Sequence, residues 1–491
     1  MTKSNIDTLN NVLFNERRLF MGTRTKFYCD IMALNPEVTG SCILVIIKYP
    51  NGTETKFLVD CGLFQESQYE ELNEKLPVDP KEISFTLITH NHVDHTGRLP
   101  FLTKKGYNNP IYMTKGTEKF INIALYDSCK VLTDVAKRNN VKALYSTEDV
   151  YNTLNLIEGK DDYKKFEIDD HITATFITNG HLIGSACILL QIHYHGYKDI
   201  NLLFTGDYNN KNMFFKVPKI PSSIRNLDIS IVTESTYGNM EYNQITSNFQ
   251  KNIIEAVNNE KTVIIPVFSL GRAQEVMSEL CRWQRADLLK ENIPIYLDGK
   301  LAIKYTSIYL KEELNIYEKM KEFLPHNLQY VNESLRKNLL KSKKCKIILT
   351  TSGMGSYGPA QLYLPEYIQR QNALIHFTGY VAEGTLGEKL KSAKEGEIVQ
   401  VGGIMAIKKA DVQYTTEYSA HAKANELIDF LNLFPNKKMI LINHGEKEIK
   451  NLFAERVLRE TDCKKIGILG NEYFFRLDAY GLVKSLGTKF E

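Results

Sequence analysis

Three histidines and an aspartate fall within the short stretch 89–95, which reads Thr-His-Asn-His-Val-Asp-His. So many ionisable side chains in one place are unfavourable on their own, because protonated imidazoles repel each other and buried neutral imidazoles need hydrogen-bond partners. A bound cation removes both costs. On an extended loop His90 and His92 point the same way, whereas Asp94 and His95 can turn towards a second point nearby. The spacing therefore favours two metal ions over one, and over the alternative of a solvated polar loop.

Potential ligands also follow four other apolar segments, each time beside a glycine. These segments are 55–60 with Asp60, 172–178 with His181, 202–204 with Asp207, and 439–443 with His444. Taken singly each residue is a weak signal, since an aspartate such as Asp60 often only caps a turn. The recurrence of a potential ligand at strand ends is the stronger signal, because α/β sheets present their functional residues at the carboxyl ends of their strands. The segment 83–89, which leads into the histidine cluster, also reads as a buried strand.

Seven side chains are therefore candidate metal ligands: His90, His92, Asp94, His95, His181, Asp207 and His444. Their nitrogen and oxygen donors suffice for two zinc ions with about four or five ligands each, a bridging water included. Neutral imidazole and carboxylate suit zinc best, while manganese and iron remain alternatives because metal availability also decides occupancy. The histidines outside these motifs are predicted to be structural: His171, His193, His195, His326 and His376.

Length and composition set the frame for these residues. A chain of 491 residues exceeds what one core usually supports, so we expect two domains or one domain with a large insertion. The formal net charge of +3 is small, so any nucleic-acid binding must come from a local groove. None of the eight cysteines forms a C-x-x-C pair, which argues against zinc ribbons and for a reducing compartment. No signal peptide or membrane span is visible, so we expect a cytoplasmic protein with no membrane partner.

The order of the elements that must position the ligands predicts an α/β protein with an inserted domain. A hairpin is predicted around Asn51-Gly52, helices over 115–165, and a strand at 186–195 that contains His193 and His195. After Asp207 strands and helices alternate, which is typical of a mostly parallel sheet. Strands are predicted at 229–232, 262–267, 294–297, 346–350 and 373–377, and helices at 246–259, from 271, and at 360–370, 384–392 and 425–433. Residues 1–26 are predicted to form an extension or a short helix. The strand-then-ligand pattern returns at His444, so the predicted parts are 1–211, an insertion over 212–416, and 417–491.

The ligand pattern resembles the metallo-β-lactamase fold, an αββα sandwich. Asp60 matches its first motif, residues 90–95 the second, His181 the third and Asp207 the fourth. The inserted part resembles a β-CASP domain, with Thr-Glu-Ser-Thr-Tyr-Gly at 233–238 as motif A, Ser-Ala-His at 419–421 as motif B and His-Gly-Glu at 444–446 as motif C. Segments 266–275, 294–299, 351–354 and 379–387 fit as well. The chain is thus similar to β-CASP ribonucleases, the group of the pre-mRNA 3′-end cleavage endonuclease and its prokaryotic counterparts.

The resemblance implies a role for each site residue. One zinc ion would be held by His90, His92 and His181, the other by Asp94, His95 and His444, with Asp207 bridging them and Asp60 orienting ligands or the bridging water. His421 would face the scissile phosphate and protonate the departing 3′ oxygen, with Glu234 holding its tautomer and raising its pKa. Ser352, Gly353 and the backbone at Ser419 and Ala420 would contact phosphate. Arg272, which opens a helix, has two open readings: a phosphate contact or a pair with a carboxylate.

The implied function is zinc-dependent hydrolysis of single-stranded RNA. Hydroxide activated by two metals would leave a 5′-phosphate and a 3′-hydroxyl, with endonucleolytic cleavage favoured over 5′-to-3′ exonucleolytic action. The alternatives are a DNA nuclease of the same group and a catalytically silent RNA-binding scaffold. His444 favours RNA, because the DNA enzymes tend to have an apolar residue there, and the complete ligand set argues against a silent scaffold. Prokaryotic members often dimerise, which implies a homodimer.

Overall fold

The structure, a computed structural model, describes residues 26–76, 78–241, 248–311, 314, 316–355, 357–379, 381, 385–401, 403–415 and 417–487. Four predicted features lie wholly or partly outside these ranges. They are the extension or short helix at 1–26, the start of the helix at 246–259, and the middle of the 379–387 motif with the first residue of the helix at 384–392.

The first sheet has eight strands and contains both ends of the described chain. In spatial order its strands are Gly481–Gly487, Tyr473–Asp478, Tyr28–Ala33, Ile43–Lys48, Glu54–Val59, Ile83–Leu87, Ile111–Thr114 and Ile157–Lys160. The predicted hairpin is confirmed, with Ile43 paired to Val59 and Lys48 to Glu54. Alternation along its first strand sends Val45 into the space between the two main sheets and Leu44 to the opposite face, as the two-residue period of a strand requires.

The second sheet has seven strands and packs face to face on the first. Their spatial order is Ile466–Ile468, Lys437–Ile442, Ile229–Thr233, Ile200–Phe204, Ala186–Ile192, Ile172–Thr178 and Phe166–Glu167. Apolar side chains of both sheets, such as Phe57, Phe85, Phe176 and Phe204, form one buried core between them. This is the double-sheet centre of the sandwich expected from the resemblance.

Helices cover the outer faces of both sheets and complete the αββα arrangement, which confirms the predicted fold. The outer face of the first sheet is covered by Leu99–Lys104, Lys115–Asn139 and Thr147–Leu154, and that of the second by Ala424–Asn432 and Lys447–Glu460. Further helical segments are Ser67–Glu74, Pro80–Glu82, Val93–Thr96 and Ser222–Arg225. None of the described helices is both long enough and apolar enough to cross a membrane.

The inserted domain is built on a third sheet whose strands are all parallel, as the alternation of strands and helices predicts. Its order is Leu328–Tyr330, Ile295–Asp298, Ile347–Thr350, Thr262–Pro266, Ala373–Phe377 and Asp411–Tyr414. Its helices are Phe249–Asn258, Arg272–Arg285, Lys300–Lys311, Glu318–Met320, Glu333–Lys341, Ala360–Tyr367 and Leu386–Ser392, and a separate hairpin pairs Ile398–Val401 with Ile404–Ile407.

Three sequence-based assignments need correction. The segment 115–165, predicted to be helical, also contains the strand Ile157–Lys160 at the edge of the first sheet. The strand Ile229–Thr233, predicted to lie in the insertion that starts at 212, pairs in parallel with Ile200–Phe204 and with Lys437–Ile442. It therefore belongs to the second sheet, and the third sheet takes its first strand only at Thr262. A strand-helix alternation shows that a strand is parallel but not which sheet it joins. The strand predicted at 186–195 ends at Ile192, so His193 lies beyond it, exposed and 2.7 Å from Asp199.

The inserted domain shares a hydrophobic core with the sandwich. Phe120 of the long helix Lys115–Asn139 lies between Tyr305 and Tyr309 of the inserted domain, with ring centroids 5.8 Å apart in both pairs. Leu182 and Phe214 of the sandwich join the same buried cluster. This continuous packing holds the inserted domain over the edge of the sandwich where the predicted ligands lie.

Candidate metal centre and active site

The predicted ligands come together at one edge of the sandwich, where strands of both main sheets end. Asp60 follows Glu54–Val59, His181 follows Ile172–Thr178, and His444 follows Lys437–Ile442. Asp60 and His444 have φ angles of 64° and 46°, in the left-handed region that non-glycine residues rarely adopt. Backbone held in such conformations is concentrated at functional sites, because surrounding contacts must compensate for its cost.

Three imidazoles form the first donor group. The Nδ1 atom of His92 lies 3.2 Å from Nε2 of His90 and 3.1 Å from Nε2 of His181. The Oδ2 atom of Asp207 lies 3.6 Å from His90 Nε2 and 3.7 Å from His181 Nε2. The ligand atoms of these four side chains lie close enough together to share one metal ion.

The second donor group consists of Asp94, His95 and His444. The Nε2 atoms of the two imidazoles are 3.2 Å apart, and Asp94 Oδ2 lies 3.8 Å from that of His95 and 3.9 Å from that of His444. Asp207 again lies beside the group, with Oδ2 3.4 Å from His95 Nε2. The structure thus brings all seven predicted ligands together, with Asp207 between the two groups.

The donor geometry fits metal ions. Ligand nitrogens about 2.0–2.1 Å from a tetrahedral zinc ion are about 3.3–3.4 Å apart, close to the 3.1–3.2 Å seen here. Lone pairs of neutral imidazoles at that distance repel each other unless a cation or a proton lies between them. Asp207 Oδ1 is also buried; it lies 3.2 Å from His444 Nδ1, but no well-aligned hydrogen bond reaches it from the described residues. A buried carboxylate oxygen without a hydrogen bond is costly, and a cation would remove that cost.

A layer of neighbouring groups fixes the tautomers of the ligand imidazoles. Asp60 accepts from His95 Nδ1 at 2.7 Å and from the Thr89 N–H at 2.8 Å. The Ala420 carbonyl accepts from His181 Nδ1 at 3.0 Å, which leaves Nε2 of that ring free to bind a metal ion. Such outer hydrogen bonds are usual around metal-bound histidines.

Two threonines in this layer were missed by the sequence reasoning. Thr89 Oγ1 lies 3.0 Å from His90 Nδ1 and donates to Asp60, and Thr236 Oγ1 lies 3.1 Å from His444 Nδ1. Both residues stand inside motifs that the sequence analysis quoted, directly before the histidine cluster and within 233–238. Their position in these motifs was the available signal, but a hydroxyl alone does not reveal its partner.

The pKa values of the first donor group suit a bound cation. Burial lowers the pKa of His92 to about 4 and holds the pKa of His90 and His181 well below its usual value, so these rings are neutral donors at neutral pH. For Asp207 burial acts the other way, but the imidazoles around it, His444 first, hold its pKa well below the usual range. Asp207 is therefore an ionised donor when these three rings are neutral.

His421 and Glu234 form a pair beside the two donor groups. His421 Nδ1 lies 2.8 Å from Glu234 Oε2, and its Nε2 faces the cluster, 3.8 Å from Asp207 Oδ2. Glu234 is buried, and its other oxygen accepts from the Tyr208 N–H. Burial disfavours the imidazolium, but the Glu234 and Asp207 carboxylates outweigh burial and raise the pKa of His421 to about 9. Glu234 therefore fixes the tautomer of His421, while the His421 side chain remains 19% exposed.

Comparison with known proteins decides the family. A model of the Metallo-beta-lactamase superfamily matches residues 35–234, a model of the Beta-Casp domain matches 273–390, and a model of the Zn-dependent metallo-hydrolase RNA specificity domain matches 407–467. An RNase J-like protein of Methanocaldococcus jannaschii is 31% identical over 406 residues, which are 81% of this chain and 89% of the relative. This chain belongs to the β-CASP family. It is a metal-dependent hydrolase of the metallo-β-lactamase superfamily.

Other β-CASP relatives cover most of the chain. Ribonuclease TTHA0252 of Thermus thermophilus is 28% identical over 429 residues, 84% of this chain and 91% of that protein. The cleavage and polyadenylation specificity factor subunit 3-II of Arabidopsis thaliana is 26% identical over 454 residues, 88% of this chain and 70% of that protein. The predicted insertion over 212–416 encloses the matched β-CASP residues with a margin at both ends.

The predicted substrate contacts of the β-CASP hydrolase have mixed outcomes. Arg272 is buried, with Nε 2.9 Å from Glu275 and its guanidinium donating to the Thr378 carbonyl, so the carboxylate-pairing reading holds. Its side chain is already engaged, which argues against the predicted phosphate contact. Ser419 and Ala420 lie at the cluster, but their carbonyls accept from Asn209 and His181.

Ser352 and Gly353 lie in a turn after the strand Ile347–Thr350 of the β-CASP domain. The Ser352 hydroxyl accepts from the Tyr357 N–H at 3.2 Å, and a Cβ atom at Gly353 would come within 2.8 Å of the Phe268 ring. Glycine at this position therefore allows Phe268 to pack closely against the turn. The hydrogen bonds described for this turn do not link it to the metal ligands, so its phosphate contacts remain a prediction.

Proposed function

We propose that this β-CASP hydrolase is a zinc-dependent ribonuclease that cleaves phosphodiester bonds of single-stranded RNA. The observation that carries the proposal is the arrangement of two donor groups that both adjoin Asp207 and lie next to the His421–Glu234 pair. A hydrolase for small uncharged substrates has no need of a partly exposed imidazole held by a buried glutamate beside its metal ligands. A phosphodiester does, because its leaving oxygen must be protonated.

We propose a role for each residue of the metal centre. His90, His92 and His181 would hold one zinc ion and Asp94, His95 and His444 the other, with Asp207 shared. Bound there, two zinc ions would supply an activated water and neutralise phosphate charge. Asp60 would fix the orientation of His95, and the Ala420 carbonyl that of His181.

His421 is proposed to donate a proton to the leaving 3′ oxygen. Since Glu234 accepts from Nδ1, the Nε2–H of the protonated ring faces the cluster and the substrate position beside it. The Tyr208 N–H in turn holds Glu234, so the imidazole has one favoured orientation. Protonation of the 3′ oxygen leaves a 3′-hydroxyl on one product and a 5′-phosphate on the other.

RNA is proposed over DNA on two grounds. The names of relatives include ribonucleases, and the match over 407–467 is to a domain described by its RNA specificity. His444 also fills the position at which the DNA enzymes tend to carry an apolar residue. Endonucleolytic action in the cytoplasm and assembly as a homodimer remain predictions from the resemblance, and sedimentation of the purified protein tests the homodimer.

Labelled oligonucleotides test the proposed reaction. The purified protein is incubated with 5′-labelled and internally labelled single-stranded RNA and with DNA of the same sequence, with and without a chelator, followed by zinc or manganese add-back. Internal cleavage of RNA that stops with chelator and returns with metal is expected. Chelator-resistant cleavage would contradict the metal mechanism, preferential cleavage of DNA would contradict the substrate, and release of mononucleotides from the 5′ end would contradict endonucleolytic action.

A further inference from the structure

Lys423 is a buried cation close to the active site. It follows His421 by two residues and is only 3% exposed. It also stands at the N-cap of the helix Ala424–Asn432, where the helix dipole disfavours positive charge. Burying an ammonium group in such a place is costly unless an anion accompanies it.

The ammonium of Lys423 has no such partner among the described residues. It lies 4.5 Å from the centroid of the Tyr237 ring, and no hydrogen bond or ion pair of the described chain includes it. The carboxylates that influence it are engaged elsewhere. Glu426 lies 3.3 Å from the Lys211 ammonium and accepts from the Lys423 backbone N–H, and Glu234 is held by His421.

Other positive groups surround this position. Burial above all, and then Lys211 and Arg272, lower the pKa of Lys423 to about 8 against the opposing influence of Glu426. Lys211 belongs to the sandwich and Arg272 to the β-CASP domain, so the cations come from both walls of the junction. The carboxylates near Lys423 are thus bonded to other groups, and among the described residues none of them forms an ion pair with its ammonium.

Tyr237 links this position to the proposed site of chemistry. The ring beneath the Lys423 ammonium also lies edge-on to the His421 imidazole, with centroids 6.0 Å apart. A strand whose scissile phosphate lies between the donor groups and His421 would bring a neighbouring phosphate towards the same ring. Lysine binds phosphate as a compact point charge, and each phosphate so neutralised releases a counterion.

We propose that Lys423 binds the phosphate next to the scissile one and so sets the register of the RNA strand in the active site. The inference rests on the proposed ribonuclease function and deepens it by naming a second phosphate position. Lys423 acts in it as a binding residue, and Tyr237 holds the ammonium in place. The competing explanation is that the ammonium only packs on Tyr237 and stabilises the loop that carries His421.

A scan of uncharged linkages separates the two explanations. RNA oligonucleotides are made with a single neutral methylphosphonate linkage at each position in turn. Binding to the metal-loaded protein is read by stopped-flow anisotropy, before cleavage sets in. For the unaltered protein we expect one linkage beside the cut site to weaken binding by about tenfold to a hundredfold. If no neighbouring linkage matters, the proposal is wrong.

The variants Lys423→Met and Lys423→Arg complete the test, with Lys337→Met, on an exposed face of the β-CASP domain, as the matched control. Lys423→Met should weaken binding of fully charged RNA by the same factor and become insensitive to that one linkage. Its slope of log affinity against log salt concentration should fall by about 0.7, while Lys423→Arg and Lys337→Met keep the linkage effect.

Two outcomes remain distinguishable from failure of the ribonuclease proposal. A Lys423→Met protein that is still penalised by the same linkage would show that another group binds this phosphate, and the packing explanation would stand. Absence of chelator-sensitive cleavage by the unaltered protein would overturn the ribonuclease function. The binding scan would then still decide whether Lys423 contacts a phosphate.

Discussion

The sandwich and the β-CASP domain both place an aspartate beside a glycine at the end of a strand, with opposite results. In the sandwich, Asp207 is surrounded by imidazole nitrogens, and its Oδ1, 3.2 Å from His444 Nδ1, receives no well-aligned hydrogen bond from the described residues. In the β-CASP domain, Asp298 ends the strand Ile295–Asp298 and is equally buried. It accepts two bonds from Arg336, at 2.6 and 2.7 Å, and one from the Tyr363 hydroxyl at 2.8 Å.

The comparison shows that a carboxylate at a strand end is not by itself a site. Asp298 has its charge balanced by a guanidinium and its lone pairs filled, so it holds the domain together and has no capacity left for a ligand. The neighbours of Asp207 are mostly imidazole nitrogens, which can donate a lone pair as its own oxygens can. A cation can bind to such a group, whereas Arg336 would repel a cation at Asp298. A ligand site is therefore distinguished from a structural pair by carboxylate lone pairs that no hydrogen-bond donor of the protein occupies.

Histidines show the same contrast. His376, on a central strand of the β-CASP sheet, accepts from the Asn252 amide and contacts the Phe377 carbonyl, and burial lowers its pKa to about 4. His421 lies partly exposed beside the buried Glu234, and its pKa is raised to about 9. Neutral partners keep one imidazole neutral, and a buried carboxylate keeps the other charged.

The largest expected effect separates chemistry from metal binding. His421→Ala should lower the rate of RNA cleavage by about 10²- to 10⁴-fold, the contribution of a well-placed proton donor, and should keep the metal content measured by elemental analysis. His444→Ala serves as the contrasting variant and should lose metal. Metal loss in the His421→Ala protein would mean that His421 is a ligand rather than a proton donor.

The next largest effect concerns Asp298, the aspartate that is already paired with Arg336. Arg336→Met should lower the free energy of unfolding by about 3 kcal/mol, because it leaves the Asp298 carboxylate buried without its cation. Metal content and the cut site should be unchanged. Denaturant unfolding and elemental analysis measure both quantities. A gain of metal at Asp298 or a loss at the main centre would contradict the separation of the two regions.

Asp60→Asn should weaken metal affinity by about tenfold to a hundredfold, because an amide cannot match a carboxylate as acceptor from His95 and Thr89. Competition with a fluorescent chelator gives the affinity. The comparison variant is Asp298→Asn, which should lower the free energy of unfolding and leave metal affinity unaltered. An unchanged affinity in Asp60→Asn would show that Asp60 only caps its turn.

The smallest effect is a pH dependence in the β-CASP domain. The folded pKa of His376 is about 4, below the value of about 6.5 expected for an unfolded chain. Between these values the unfolded state binds more protons, so stability rises with pH. From pH 5 to pH 7 the gain should be about 2 kcal/mol. His376→Gln should lose this part of the slope, while the exposed His326→Gln should keep it; equal slopes in all three proteins would contradict the assignment.

Much of the site was predictable because its residues are concentrated or repeat a pattern. The stretch His90–His95 needs no tertiary structure to suggest metal binding, and the strand ends at His181, Asp207 and His444 repeat one arrangement. Arg272 was not decided in advance, since phosphate and carboxylate attract a guanidinium equally well. For Thr89 and Thr236 the available signal was their position in the motifs, and Lys423 gave none, because a hydroxyl or an ammonium acquires its role only from what surrounds it.

The sequence by itself determined the kind of chemistry, the α/β class and the order of the parts, since residue type and periodicity are local properties. Tertiary structure decided which sheet the strand Ile229–Thr233 joins, because parallel pairing depends on partners more than 200 residues away in the chain, such as Lys437–Ile442. Tertiary structure also decided which of the two strand-end aspartates is paired with a cationic side chain. Asp207 and Asp298 look alike in the sequence, and only the folded chain supplies Arg336 to Asp298 and a set of imidazole nitrogens to Asp207.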